Sequence, residues 1–230
     1  MEKRWIWAKD PYTDGPELLL EGTIASETWL GDEVTPQEFR ADLKKQGQGK
    51  DITVKINSPG GDPFAACAIY EAFKEYRGKV TVKVVGLAAS AASVVAMGGD
   101  EILMAPGASM MIHKSWAYAC GNEDELVEII GELKAIDAGM IRIYALRTGR
   151  DEAAIRAMIA DGDYWMDAQE AVKMGFADRI IDHNAELKAA AQYAASVAHH
   201  GLLKAARNVK ASGEMDEMEE RRRILAENGR

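Results

Sequence analysis

Only two of the 230 residues are cysteine, Cys67 and Cys120. One falls inside an apolar helical pattern and the other in a loop, so no disulfide framework is indicated and the chain reads as a product of a reducing compartment. Long apolar runs are missing too. The longest uncharged stretch, Val84 to Gly99, is short and carries glycine, which argues against a membrane span. The first ten residues lack the apolar segment of a signal peptide. These absences predict a soluble, cytoplasmic protein without a membrane partner. Excess positive charge is also lacking: the formal net charge of -9 argues against nucleic acid as a partner. There is no P-loop, no dinucleotide fingerprint, no His-Glu-x-x-His motif and no internal repeat, so neither metal nor cofactor is expected.

What remains is 47% hydrophobic and 28% charged, enough for one large domain with appendages. An N-terminal arm is expected over 1–16, a main domain over 17–183 and a charged, helical or disordered tail over 184–230. Trp5 and Trp7 in the arm favour docking on the chain's own domain over a partner contact. Thr35-Pro36-Gln37-Glu38 reads as a capping box opening a helix whose Phe39 and Leu43 share a face.

Ile52, Val54 and Ile56 alternate with polar residues and predict a strand that ends at the turn Asn57-Ser58-Pro59-Gly60-Gly61. A helix follows from about Pro63 to near Gly78. A second strand, Lys79 to Val85, breaks at Gly86 and gives way to a small-residue helix with Ser90 at its start. Strand, glycine turn and helix, repeated, describe βαβ units whose strand ends gather both turns on one edge, where Gly61 and Ser90 could meet. A serine there suits a nucleophile, since a helix start offers unpaired N–H groups to an oxyanion; tight helix-on-sheet packing is the competing reading.

Short strands are expected at Glu101 to Met104 and Ser109 to Ile112, the second running into His113. Of four histidines, only this one ends a core strand. A long helix is expected from Asn122 to Arg147, of a reach suited to a subunit contact. A further helix follows Thr148-Gly149 and is interrupted at 160–166. Asp167 with Glu170 caps a short helix ending at Gly175, and a last strand spans Phe176 to Ile181. Asp161 and Asp163 lie in the interrupting loop. Serine, histidine and a loop carboxylate supply the nucleophile, base and orienting acid of acyl transfer. Neither a Gly-x-Ser-x-Gly elbow nor a Ser-x-x-Lys pair is present.

Ile56-Asn-Ser-Pro-Gly-Gly61, Gly86-Leu-Ala-Ala-Ser90, Met111-Ile-His113 and Trp165-Met-Asp-Ala-Gln-Glu-Ala-Val172 with Gly175-Phe-Ala-Asp178 resemble successive signatures of the Clp-type serine peptidases. The likeness covers roughly 17–183. It implies an α/β fold, the Clp protease/crotonase-like spiral of βαβ units with a projecting long helix. It implies Ser90 as nucleophile, His113 as base and Asp163 as acid, with oxyanion N–H groups from Gly61 and Ala91. Asp161 is the second candidate for the acid and Ser93 for the nucleophile. Rings, heptameric and often stacked, are implied, with the helix from Asn122 between them; charged replacements at Ile129 and Leu133 are expected to disperse them.

Lys114-Ser115 stands where the housekeeping subunit usually has proline, and the paired glycines of its substrate-binding strand are missing. With the tryptophan arm and the charged tail, this resembles the Clp-related head maturation (prohead) proteases of tailed phages and prophages. The implied substrate is then scaffold or major capsid protein, cut in the host cytoplasm inside the prohead without an unfoldase. The alternatives are a Clp proteolytic subunit partnered by a ring ATPase, a crotonase-type acyl-CoA enzyme, and an inactive scaffold ring.

Overall fold

The computed structural model describes residues 5–9, 15–26 and 35–184. The tail beyond 184 lies outside these. The elements discussed below belong to one unit, Met1–Ile181.

Its centre is an eight-stranded sheet in the order β1-β2-β3-β4-β5-β8, with β6 on β4 and β7 on β6. The strands are β1 (Trp5–Lys9), β2 (Pro16–Ile24), β3 (Ile52–Gly61), β4 (Val80–Ala89), β5 (Glu101–Met104), β6 (Ser109–Ile112), β7 (Tyr164–Asp167) and β8 (Arg179–Ile180). Pairing is parallel except at β1–β2 and β6–β7. Within the expected arm, Trp5–Lys9 thus joins the sheet as a strand, and Trp7 packs against the core.

Register explains the core. Leu18, Val54 and Val82 stand opposite one another, as do Leu20, Ile56 and Val84, and all six are fully buried. Since side chains alternate along a strand, this puts one continuous apolar face across three strands. Helices α2 (Pro63–Lys74) and α3 (Ala91–Ala96) contribute Ala66, Ile69, Phe73, Val94 and Val95 to the same core. Most of the alternating positions are polar, and Lys55 pairs with Glu17 at 2.9 Å.

Several boundaries differ from expectation. β3 runs through Asn57–Gly61 instead of ending before it, because Ser58 donates to the Gly22 carbonyl at 2.5 Å and accepts from the Gly60 N–H at 3.1 Å. β4 does not break at Gly86 but continues to Ala89, where β6 takes over as its neighbour. The capping box at Thr35 is not formed: its hydroxyl bonds the Glu38 carboxylate at 3.4 Å, and α1 (Pro36–Asp42) passes into a π-helical turn, Leu43–Gly47. The 160–166 interruption holds all of β7 but its last residue, Asp167, and the last strand is only Arg179–Ile180.

The long helix α4 (Glu123–Thr148) has 26 residues and so spans about 39 Å. A true capping box opens it, with Asn122 Oδ1 accepting from the Glu125 N–H and Glu125 Oε2 from the Asn122 N–H. Gly149, at φ 69°, closes it in the left-handed conformation. Helices α5 (Glu152–Met158) and α6 (Ala168–Met174) follow, each capped by an aspartate, Asp151 and Asp167. No helix among the described residues is long and apolar enough to cross a membrane.

Candidate active site

Ser90 sits between β4 and α3 with φ 55° and ψ -127°, one of two described non-glycine residues at positive φ. Such a backbone is strained for an L-residue and lifts the side chain out of the strand-to-helix path. Two contacts keep it there. Its N–H donates to the Met111 carbonyl at 2.9 Å, and its carbonyl accepts from the Ser93 N–H at 3.0 Å. Gly60 presses against the same elbow at φ 97°: a Cβ on it would lie 2.8 Å from the Ala91 nitrogen and 2.5 Å from the Ala89 oxygen. Only glycine allows this approach.

His113 follows β6 directly. Its Nε2 lies 2.7 Å from Ser90 Oγ, and its Nδ1 lies 3.3 Å from Asp163 Oδ1. For Nε2 to accept the serine proton, the ring proton must sit on Nδ1, facing the carboxylate. Strand pairing brings this carboxylate in. β6 and β7 pair Ser109 with Asp167 through Ile112 with Tyr164, and one step further along that register His113 faces Asp163. The Lys114 ammonium, donating to the Ala160 carbonyl at 2.9 Å, ties the same loop to the histidine's neighbour. Asp161 is exposed, and the carboxylate facing His113 Nδ1 is that of Asp163.

Ser90 and His113 open into a cleft of about 490 Å³ that Gly61 and Ala91 also line. Ala91 begins α3, so its N–H has no partner within the helix. Met111, Leu133, Ile136 and Met140 give the cleft an apolar wall. Ile129, with Leu133 one of the two α4 positions expected at a subunit contact, lines it as well. Ser115 fixes that wall to the chain beyond His113: its N–H and hydroxyl both donate to Asp137 Oδ1 at 2.7 Å.

Ser93, the second candidate nucleophile, stands apart from this cleft. It is fully buried, and its hydroxyl contacts the Ser90 carbonyl and the Tyr144 hydroxyl, so it cannot meet a substrate. Cys67 is half-buried, and burial pushes its thiol pKa up; Cys120 is exposed. Among the described residues no cluster of histidine, cysteine or carboxylates could hold a metal ion. Tyr144 is a neighbour of the site that sequence reasoning did not single out.

A family model described as Clp protease matches residues 30–184. The ATP-dependent Clp protease proteolytic subunit of Deinococcus radiodurans is 33% identical over 147 residues, which is 63% of this chain and 71% of that protein. The protein of the same description from Pleurastrum terricola is 35% identical over 140 residues, 60% of this chain and 71% of its own length. Among solved structures, a ClpP1 mutant from Listeria monocytogenes superposes with a TM-score of 0.63 at 24% identity, covering 74% of this chain and 94% of that one. The α/β fold expected from the sequence, a spiral of βαβ units with a long projecting helix, is therefore the fold observed.

Proposed function

This chain belongs to the Clp protease family, and from that premise we propose that it is a serine endopeptidase in which Ser90, His113 and Asp163 carry the chemistry. The hydrogen bond of 2.7 Å between Ser90 Oγ and His113 Nε2, opening on a cleft, is the observation behind this reading. As Oγ attacks a peptide carbonyl carbon, its proton passes to His113 Nε2. The carbonyl oxygen becomes an oxyanion, held by the N–H groups of Gly61 and Ala91. The C–N bond then breaks, and the proton moves from Nε2 to the leaving amine. Water repeats the sequence on the acyl-enzyme and releases the acid. Asp163 keeps the Nδ1 proton in place and stabilises the imidazolium. No cofactor takes part.

The relatives named above are proteolytic subunits of ATP-dependent proteases. That supports a proteolytic subunit of a cytoplasmic homo-oligomeric ring, stacked or heptameric, whose protein substrates are delivered by a ring ATPase. The domain we propose for this task is 17–183, extended by the Trp5–Lys9 strand of the same sheet, with 184–230 as a tail. One observation favours a second reading, processing of scaffold or capsid protein in a phage prohead without an unfoldase. Past His113, residues 113–120 form no strand, and Lys114 and Ser115 are tied down to Ala160 and Asp137.

Fluorophosphonate labelling of purified protein, read by intact mass, tests the chemistry. Labelling of the parent that disappears in Ser90→Ala is the expected result; an unlabelled parent returns the scaffold or acyl-CoA readings. Degradation of casein with and without a Clp ATPase and ATP separates the two biological readings, since only the first requires stimulation.

A further inference from the structure

We infer that Tyr144 and Ser93 are positioning residues, holding the carbonyl of Ser90, and with it the strained backbone of the nucleophile, to the long helix α4. The inference rests on Ser90 being the nucleophile.

Ser93 Oγ lies 2.6 Å from the Ser90 carbonyl oxygen and 2.7 Å from the Tyr144 hydroxyl. The direction of this chain is forced. A carbonyl only accepts, so the single Ser93 proton is committed to it, and Tyr144 must donate to Ser93. Two donors in series polarise each other, which strengthens the final bond onto the carbonyl. Burial pushes the Tyr144 phenol pKa upward, so the donor stays protonated.

Both residues are sealed from water, with Ser93 0% and Tyr144 1% exposed. Hydroxyls so placed are costly unless bonded, and packing alone would be served by alanine and phenylalanine. The chain instead ends on Ser90, whose φ of 55° must be maintained against relaxation. It starts on α4, which also receives Ser115 through Asp137 and supplies the apolar wall of the cleft. One helix thereby sets the nucleophile, the segment after the base and the substrate wall against each other. Neither hydroxyl touches the reacting atoms, so their effect has to appear in how often Ser90 is correctly aimed.

The test compares the parent, Tyr144→Phe, Ser93→Ala, the double variant and Ser90→Ala as assembled full-length protein. Fluorophosphonate labelling rates and hydrolysis of a fluorogenic peptide with an apolar residue before the cut bond are read alongside thermal unfolding. Tyr144→Phe is expected to lower kcat and the labelling rate about tenfold at a KM within about twofold of the parent. The double variant should be no slower than Ser93→Ala, because the two act through one bond. Unchanged kcat in folded Tyr144→Phe and Ser93→Ala, or a raised KM at constant kcat, overturns the inference. If Tyr144→Phe does not fold, Ser93→Ala decides alone. A parent that is not labelled defeats the nucleophile assignment itself, a failure distinct from equal labelling of parent and variants.

Discussion

His113 Nδ1 and Asp163 Oδ1 lie 3.3 Å apart, with the histidine side chain 17% exposed and the aspartate 52%. The proposed acid is therefore wetter than the proposed base. Its carboxylate works through placement on the β6–β7 register more than through an isolated charge in low dielectric.

Asp163→Asn should leave the fold intact and lower kcat by about 10²- to 10⁴-fold, because an amide N–H facing Nδ1 favours the wrong tautomer. Asp161→Asn should stay within about twofold of the parent. Peptide hydrolysis by both variants checks this, and a larger loss in Asp161→Asn would transfer the role.

Gly60→Ala is expected to abolish labelling and lower the unfolding temperature. The added Cβ has no room beside the Ala89 oxygen and Ala91 nitrogen, and φ 97° is itself strained for alanine. Calorimetry and labelling measured on one sample distinguish a displaced elbow from an unfolded chain.

Glu101 carries a pH prediction. Its hydrogen bond to Lys79 at 2.6 Å, aided by Arg179 and opposed by burial, holds its carboxyl pKa below the ordinary 4.5. A folded pKa depressed in this way gives stability that is present above 4.5 and lost as pH falls through the lower folded value. Glu101→Gln should thus lower the urea midpoint at neutral pH, with the deficit shrinking as pH falls below 4.5. A deficit that does not shrink would assign the effect to packing.

Assembly is probed best on the outer face of α4. Val127 is 61% and Ile130 50% exposed, whereas Ile129 and Leu133 line the cleft. Val127→Glu with Ile130→Glu should disperse the proposed ring in analytical ultracentrifugation. Ile129→Glu should instead raise KM for apolar peptides, and dispersal by that change alone would return Ile129 to the interface.

Local signals carried much of the fold. Pro106-Gly107 punctuates β5 and β6 at their observed limits, and Asp167 with Glu170 opens α6 as expected. Ser90 and His113 are marked by standing where a strand ends, and the structure brings them within 2.7 Å. What stayed hidden is non-local. Gly86 reads as a breaker, yet β4 persists through it because β3 flanks it and β6 takes up its far end. β7 is four residues long and exists through its pairing with β6. The Ser93–Tyr144 bond joins residues 51 apart in sequence, and neither gives a sign of it in its own helix.

β4 divides its length between two neighbours, with Thr81 to Val84 facing β5 and Leu87 to Ala89 facing β6. Ser90, the proposed nucleophile, thus follows a long, well-anchored strand, while His113, the proposed base, rides on a ribbon stitched to it by three residue pairs. A slip of one residue along those stitches would turn His113 to the opposite face of the sheet. Fidelity of the proton transfer is in that sense a matter of alignment at Leu87, Ala88 and Ala89, three residues with no chemistry of their own.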